Sequence, residues 1–246
     1  MIDILVPVLG RPHNAQPLVD SAAATAEPYR VVFVCSPNDS EQIAACQATG
    51  AETMIVDWNP GKGDCARKLN YAFLHTDSEW VFQGADDIRF SPMWDHQALM
   101  LARKRDKQVI GTNDLHNPAV KRRLQSTHTL FARSYIDRQG GTIDSTGVVF
   151  CELYDHQFID TEFVETARRR HVWAFSRHSV VEHLHPHWGL AQMDDTYVKA
   201  YRATDQDYRL YMSRMGHAAR NTRAERYRQR AEERRAVLEE RKVRRK

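Results

Sequence analysis

Long hydrophobic runs are missing from this 246-residue sequence. The first apolar stretch, MIDILVPVLG, is broken by Asp3 and Pro7 and is too short for a signal peptide or a membrane span. No later stretch reaches spanning length, so the expectation is a protein without a membrane span that works in the cytoplasm. Paired cysteine spacing is missing as well. Cys35, Cys46, Cys65 and Cys151 are scattered with no C-x-x-C pattern, which reads as reduced, buried thiols rather than a disulfide framework. There is no internal repeat and no low-complexity linker. The phosphate-loop spacing G-x-x-x-x-G-K-[ST] is also absent, although a Gly-Lys pair occurs at Gly61 and Lys62.

What is present supports one sizeable core, with 42% hydrophobic residues. The net charge of +3 conceals an asymmetry. The segment from Arg220 to the end holds 12 Lys/Arg against 5 Asp/Glu, a net of +7, which leaves the rest of the chain at −4. This tail has no glycine or proline and only sparse apolar positions (Ala224, Tyr227, Ala231, Leu238). It reads as a solvated basic helix over 217–246. Its charge suits nucleic acid or an acidic partner, and a weak heptad-like spacing permits pairing into an oligomer.

The first hundred residues alternate between apolar strands and helices of about a dozen residues, the pattern of a parallel sheet covered on both faces. Strands are expected at IDILVPV, YRVVFVCS, AETMIVDW, EWVFQGA and QVIGTND. Helices are expected at NAQPLVDSAAATA, DSEQIAACQATG, GDCARKLNYAFLHT and MWDHQALMLARKR. From about Asn113 the alternation dissolves. A helix over DTEFVETARRRH, strands HVWAFS and SVVEHLH, and one helix over DDTYVKAYRATDQDYRLYMSRM are expected there. Ligands of such sheets bind at the carboxyl ends of the strands. Those ends carry Pro7 to Arg11, Asn38 with Asp39, and the adjacent acids Asp86 and Asp87.

Three stretches carry candidate chemistry. Gly61-x-Gly63-x-x-Ala66 loosely fits a dinucleotide fingerprint, but it follows the third strand rather than the first. With Lys62, Arg67 and Lys68 beside a helix N-terminus it could instead hold a phosphate. His183, His185 and His187 alternate in VVEHLHPHWG and would share a face if extended, an arrangement open to a metal. Asp160 and Glu162 open a helix, where they either favour its dipole or act as a general base. Asp86 and Asp87 repel each other and call for a counter-charge from solvent, an arginine or a divalent metal.

The order of these features resembles a family 2 glycosyltransferase. ILVPVLGRP, an acid after the second strand, GKGDCARKLNYAF, ADD in place of Asp-x-Asp, IDTEF in place of Glu-Asp-x-x-Leu and a late histidine follow one another over residues 2–215. The stretches ADDIRFSPMW, GTNDLHNP, STHTL and EHLHPHWG are most similar to glycosyltransferase-like proteins encoded by bacteriophages. The resemblance implies an α/β GT-A fold, a mostly parallel Rossmann-like sheet flanked by helices, followed by the basic C-terminal helix. It implies a GT-A domain over 1–216, with a nucleotide-binding half (1–112) and an acceptor and catalytic half (113–216). Pro7, Arg11 and Asp39 would line the nucleotide pocket, with Lys62, Arg67 and Lys68 near the phosphates. Asp86 and Asp87, with His183 or His185, would hold Mn²⁺ or Mg²⁺. Asp160, with Glu162 beside it, would supply the base of an inverting transfer. The donor would be a nucleotide-diphosphate sugar, a UDP-sugar first, and the acceptor modified DNA or a phage structural protein in the host cytoplasm. The sequence departs from the family pattern at Gly84 (first acid of Asp-x-Asp), Lys68 and Ile159. A nucleotidyltransferase of related architecture, and a non-catalytic protein that binds nucleotide or nucleic acid, are the alternatives.

Overall fold

Four short apolar strands form the half of the sheet that the alternation predicts. In the computed structural model, which describes residues 1–216, β1 (Ile2–Pro7), α1 (Ala15–Ala22), β2 (Tyr29–Cys35), α2 (Ser40–Ala48), β3 (Glu52–Ile55), α3 (Asp64–Leu74) and β4 (Trp80–Gln83) follow in turn. These strands pair in parallel in the order β3-β2-β1-β4. β1 is buried along nearly its whole length because helices cover both faces, which is why its sequence is continuous rather than alternating. Two apolar clusters result, one on each face of the sheet, around Phe131 and Phe163 on one side and Phe82 and Trp94 on the other.

The second half is less regular than the expectation. β5 (Ile88–Phe90), α4 (Trp94–Arg105), β6 (Val109–Asn113), α5 (Pro118–Lys121), β7 (Thr129–Ala132), α6 (Arg133–Gln139), α7 (Ile159–Arg169), β8 (Trp173–His183), α8 (Asp195–Arg202) and α9 (Thr204–Met215) complete the described residues. The eight-stranded sheet runs β3-β2-β1-β4-β7-β6-β8-β5, with β7 antiparallel to β4 and β6 and β5 antiparallel to β8. Neither β5 nor β7 was foreseen, since strands of three and four residues carry too little periodicity to register. The two strands expected over residues 171–185 are one. β8 pairs with β6, crosses a bulge between Gly111 and Asn113, and continues onto β5. The single helix expected from Asp194 to Met215 breaks at Ala203 into α8 and α9. The basic helix expected over 217–246, and any pairing through it, lie outside the described residues.

The strand order reverses between β1 and β4, so the loops that leave their carboxyl ends diverge and open a crevice. The backbones there are tight. Gly84 N donates to Leu5 O at 2.8 Å, and a Cβ at Gly84 would lie 2.9 Å from that oxygen and 3.1 Å from Val6 Cγ2. The first acid of an Asp-x-Asp motif therefore has no room at this position. Among the described residues, no helix is long and apolar enough to cross a membrane.

At the opposite edge, Asp3 is fully buried within β1. Its carboxylate accepts from Ser78 N (2.9 Å) and Ser78 Oγ (2.7 Å) and pairs with Arg30 of β2 and Arg133 of α6. Burial alone would raise its pKa, but the Arg30 and Ser78 hydrogen bonds and the Arg30 charge outweigh it and hold the group below its usual 3.8. A depressed folded-state pKa stabilises above the unfolded value, and that contribution fades as pH falls through the folded one. Asp3→Asn should therefore lower stability by about 2–3 kcal/mol at neutral pH. Urea unfolding should show the gap to wild type narrowing as the pH falls below 3.8.

Candidate active site

The crevice is the mouth of a cleft of about 640 Å³, lined among others by Pro7, Arg11, Lys68, Asp86, Asp87, Asp160, His183 and His185. Eight of the residues singled out from sequence thus face one space. The centre of it is a charge cluster. Arg11, at the end of the loop after β1, is buried, and its Nη1 donates to Asp86 Oδ1 at 3.2 Å and lies 3.6 Å from Asp87 Oδ2. Its Nε and Nη2 grip Asp194, the cap of α8, at 2.6 and 3.0 Å, and its guanidinium stacks 3.9 Å over the Tyr197 ring. The counter-charge that adjacent carboxylates require is therefore first of all an arginine.

The second partner comes from β8. β5 pairs Ile88 with His183, and Leu184 N donates to Asp87 O at 2.8 Å, so the strand end is locked beside the acid pair. His183 Nε2 sits 3.3 Å from Asp87 Oδ2, which the Tyr197 hydroxyl also reaches. His183 and His185 stay together, with ring centroids 5.0 Å apart. His187 does not join them, because the chain turns at Pro186–Trp188 and its ring packs on Trp188.

Burial and the neighbouring Asp87 push the Asp86 carboxyl up to about 7, against the pull of Arg11. Asp87 goes the other way: burial would raise it, but the His183 charge and hydrogen bonds from His183 and Tyr197 hold it far below the carboxylate range. His183 is raised despite its burial by the same Asp87. Arg11 is raised because the hydrogen bonds to Asp194 and the charges of Asp86 and Asp87 outweigh its burial.

Asp160 lies in the first turn of α7 and also lines the cleft. Its carboxylate accepts from Gln125 Nε2 (3.0 Å) and Thr161 N (2.7 Å), and burial raises its pKa above 3.8. Glu162 is not there. A helix turns about 100° per residue, so positions two apart point to opposite sides. Its buried carboxylate accepts from Tyr154 Oη at 2.7 Å and from Arg214 of α9 at 2.8 Å. Glu162 is a tie between α7 and α9, which corrects the expectation of a catalytic role.

The basic residues sort similarly. Lys68 is buried against the cleft wall, donating to Val8 O at 2.8 Å and pairing with Asp64 at 2.8 Å. Lys62 is exposed outside the lining, and Arg67 stacks 4.4 Å over Trp58 instead of facing the cleft. Gly63 has φ 71°, and a Cβ there would lie 2.3 Å from Glu152 O, so this glycine serves helix–loop packing and not a dinucleotide. Asp39 caps α2 and accepts from Gly10 N at 2.7 Å, bracing the loop that carries Arg11 from behind. Asp194, Tyr197, Gln125 and His128 also line or close the site and were missed. The sequence signals among them are Asp194 as a helix cap before DTYVKAY and the place of His128 within STHTL.

Among the described residues, no group of three or more His, Cys, Asp or Glu forms a ready-made metal cage. The donor chemistry nevertheless suits a hard divalent cation that arrives with a diphosphate. Asp86 and Asp87 offer carboxylate oxygens on the floor of the cleft, and Mg²⁺-type ions are commonly held by one or two carboxylates plus substrate phosphates. Burial and the charge of Asp87 raise the Asp86 pKa despite Arg11, so a cation beside the pair would favour its charged form.

Residues 3–163 match the family described as Glycosyl transferase family 2. No curated protein sequence matches. Among solved structures, the mannosyltransferase PcManGT from Pyrobaculum calidifontis, in complex with GDP-Man and Mn²⁺, superposes with a TM-score of 0.64. Identity is 14%, over 86% of this chain and 64% of that one. Glucosyl-3-phosphoglycerate synthase from Mycobacterium tuberculosis, in complex with Mn²⁺, UDP and phosphoglyceric acid, gives 0.58 at 15% identity, over 88% and 78%. S. aureus TarS 1–349 in complex with UDP-GlcNAc gives 0.57 at 13%, over 89% and 68%. At these identities the likeness concerns the fold, which is GT-A: a mixed, mostly parallel curled sheet with flanking helices.

An acid whose pKa is raised on folding weakens the folded state as pH climbs from the unfolded value to the folded one. Ligand-free Asp86→Asn should therefore be more stable than wild type above pH 7, by about 1–3 kcal/mol, and the gain should vanish below pH 3.8. Thermal unfolding across that range measures it.

Proposed function

The chain belongs to glycosyl transferase family 2, and from that premise we propose an inverting, metal-assisted transfer of a sugar from a nucleoside-diphosphate donor to a hydroxyl acceptor. The observation that carries the reading is one cleft lined both by the acid pair Asp86 and Asp87 and by Asp160, a carboxyl made more basic by burial. The nucleotide lies along Pro7 to Arg11, beside Lys68. Asp86 and Asp87, with His183 or His185, would hold Mn²⁺ or Mg²⁺, which would offset the charge that the leaving diphosphate gains. Asp160 accepts the proton of the acceptor hydroxyl as its oxygen bonds to the anomeric carbon. The bond from that carbon to the diphosphate breaks on the opposite face, and the nucleoside diphosphate departs with its electron pair. The crystallised neighbours with GDP-Man, UDP-GlcNAc and Mn²⁺ support this donor class, a UDP-sugar first.

The acceptor is a hydroxyl of modified DNA or of a virion protein, in keeping with the resemblance to phage-encoded proteins and a cytoplasmic site of action. The +7 tail supports DNA. Removal of residues 217–246 should weaken DNA binding in a salt-dependent way, and unchanged binding would discard DNA as the tail's partner.

A panel of nucleotide sugars with Mn²⁺, scored for release of nucleoside diphosphate, tests the transfer itself. Release from one donor should fall at least about 100-fold in Asp86→Ala, in Asp160→Asn and on chelation. Release of pyrophosphate instead would identify a nucleotidyltransferase. Donor binding without release, in the presence of candidate acceptors, would identify a binding protein.

A further inference from the structure

Three runs of three consecutive basic residues occur among the described residues: Arg103–Arg105, Lys121–Arg123 and Arg168–Arg170. The last is committed to structure, with Arg168 donating to Leu124 O, Arg169 to Met215 O and Arg170 to Gly140 O. The first closes α4, where positive charge complements the helix dipole, and Asp106 follows it. Lys121, Arg122 and Arg123 are all exposed, and their side chains make no hydrogen bond or ion pair among the described residues. No acid lies in sequence between Asp114 and Asp137, and Asp114 is buried. The turn therefore carries three charges that its own segment does not cancel.

The backbone of this turn is strained. After α5, Leu124 N donates to Ala119 O at 3.0 Å and Arg123 N to Val120 O at 2.7 Å, the paired bonds of a Schellman motif. Its left-handed position is usually glycine, and here it is Arg123 with φ 57°. A long cationic side chain held at a glycine position is local strain of the kind that accompanies function. The turn is also fixed beside the cleft. Asn117, Gln125 and Thr127, which flank it, line that space, and Asp114 holds the segment through Asn117 N (2.9 Å) and Thr127 Oγ1 (2.7 Å). Two bonds tie it to α7: Arg168 Nη1 donates to Leu124 O at 2.9 Å, and Gln125 Nε2 to Asp160 at 3.0 Å.

Val120 is buried and Leu124 half-buried, so the turn presents charge without an apolar wedge. That suits a chain of phosphates in water better than a lipid surface. The segment from Arg220 to the end adds a net +7 of the same sign. We propose that Lys121, Arg122 and Arg123 form a docking surface for the phosphodiester backbone of a nucleic-acid acceptor, on the segment tied to Asp160. The acceptor role rests on the transfer reading above. The contact itself belongs to the body of the protein and is separate from the tail.

Fluorescence anisotropy with a labelled DNA duplex, read across a salt series on the full chain without donor or metal, tests it. The variant combining Lys121→Gln, Arg122→Gln and Arg123→Gly should flatten the slope of log affinity against log salt by about 2–3. It should melt no more than about 2 °C below wild type, since glycine suits position 123. Should it melt earlier, Lys121→Gln with Arg122→Gln decides the matter, with a flattening of about 2. Arg103→Gln, Lys104→Gln and Arg105→Gln together should change the slope by less than about 1. Equal flattening by the two neutralised trios, no flattening by either, or no binding of the duplex by wild type would overturn the docking surface and leave the transfer reading intact. So would an unchanged duplex slope with lost binding to phosphatidylserine vesicles, which would identify a lipid surface. Failure of the transfer reading shows separately, as no nucleoside-diphosphate release from any donor with the duplex present, and would remove the acceptor role.

Discussion

One buried guanidinium holds the site together. Arg11 lies against Asp86 and Asp87 from the turn after β4, against Asp194 at the start of α8 and over Tyr197 within it. Three carboxylates in a largely buried space would repel one another and stay solvated without it. With it, segments that leave three separate parts of the chain converge on one point. The bidentate contact to Asp194 is the kind that a lysine could not reproduce, since it uses the planar fork of the guanidinium.

Much of the surrounding structure serves to present that guanidinium. Gly10 N is held by Asp39, and Arg11 N donates to Gln42 Oε1 at 2.7 Å, so the N-terminal turn of α2 fixes the loop from behind. Gly84 allows β4 to lie close enough to β1 for the acid pair to meet Arg11. The β5–β8 pairing then delivers His183 to Asp87, and α8 closes the remaining side with Tyr197. Asp87 is thereby held below the carboxylate range, while burial and the charge of Asp87 raise Asp86. Two adjacent, chemically identical side chains are shifted in opposite directions because their partners differ.

How far the site was legible depended on spacing and handedness. The gathering of Asp86, Asp87, Asp160, His183 and His185 in one cleft was legible because strand ends and helix starts put them at loop positions, where side chains of distant elements can meet. Glu162 was misjudged although the same spacing rule applied in reverse: two residues after Asp160 on a helix, it had to face the core. Lys62 and Arg67 sit near a helix N-terminus, but only the path of the 150s loop over Gly63 decides which face of α3 is covered. Gln83 and Gln125 carry no motif and His128 only its place in STHTL, and their common feature, a buried polar atom without a partner among the described residues, does not exist until the chain is folded.

The sequence by itself determined the local elements of the first half, the parallel sheet, the carboxyl-edge location of the site and the family. These follow from periodicity, turn residues and the order of short motifs, all of which act over neighbouring residues. Only the tertiary structure decided that an arginine is the counter-charge of the acid pair, that Glu162 ties two helices, and that β5, β7 and the far end of β8 frame the cleft. Those outcomes depend on contacts such as Arg11 with Asp194, 183 residues apart in sequence, whose geometry no local pattern encodes.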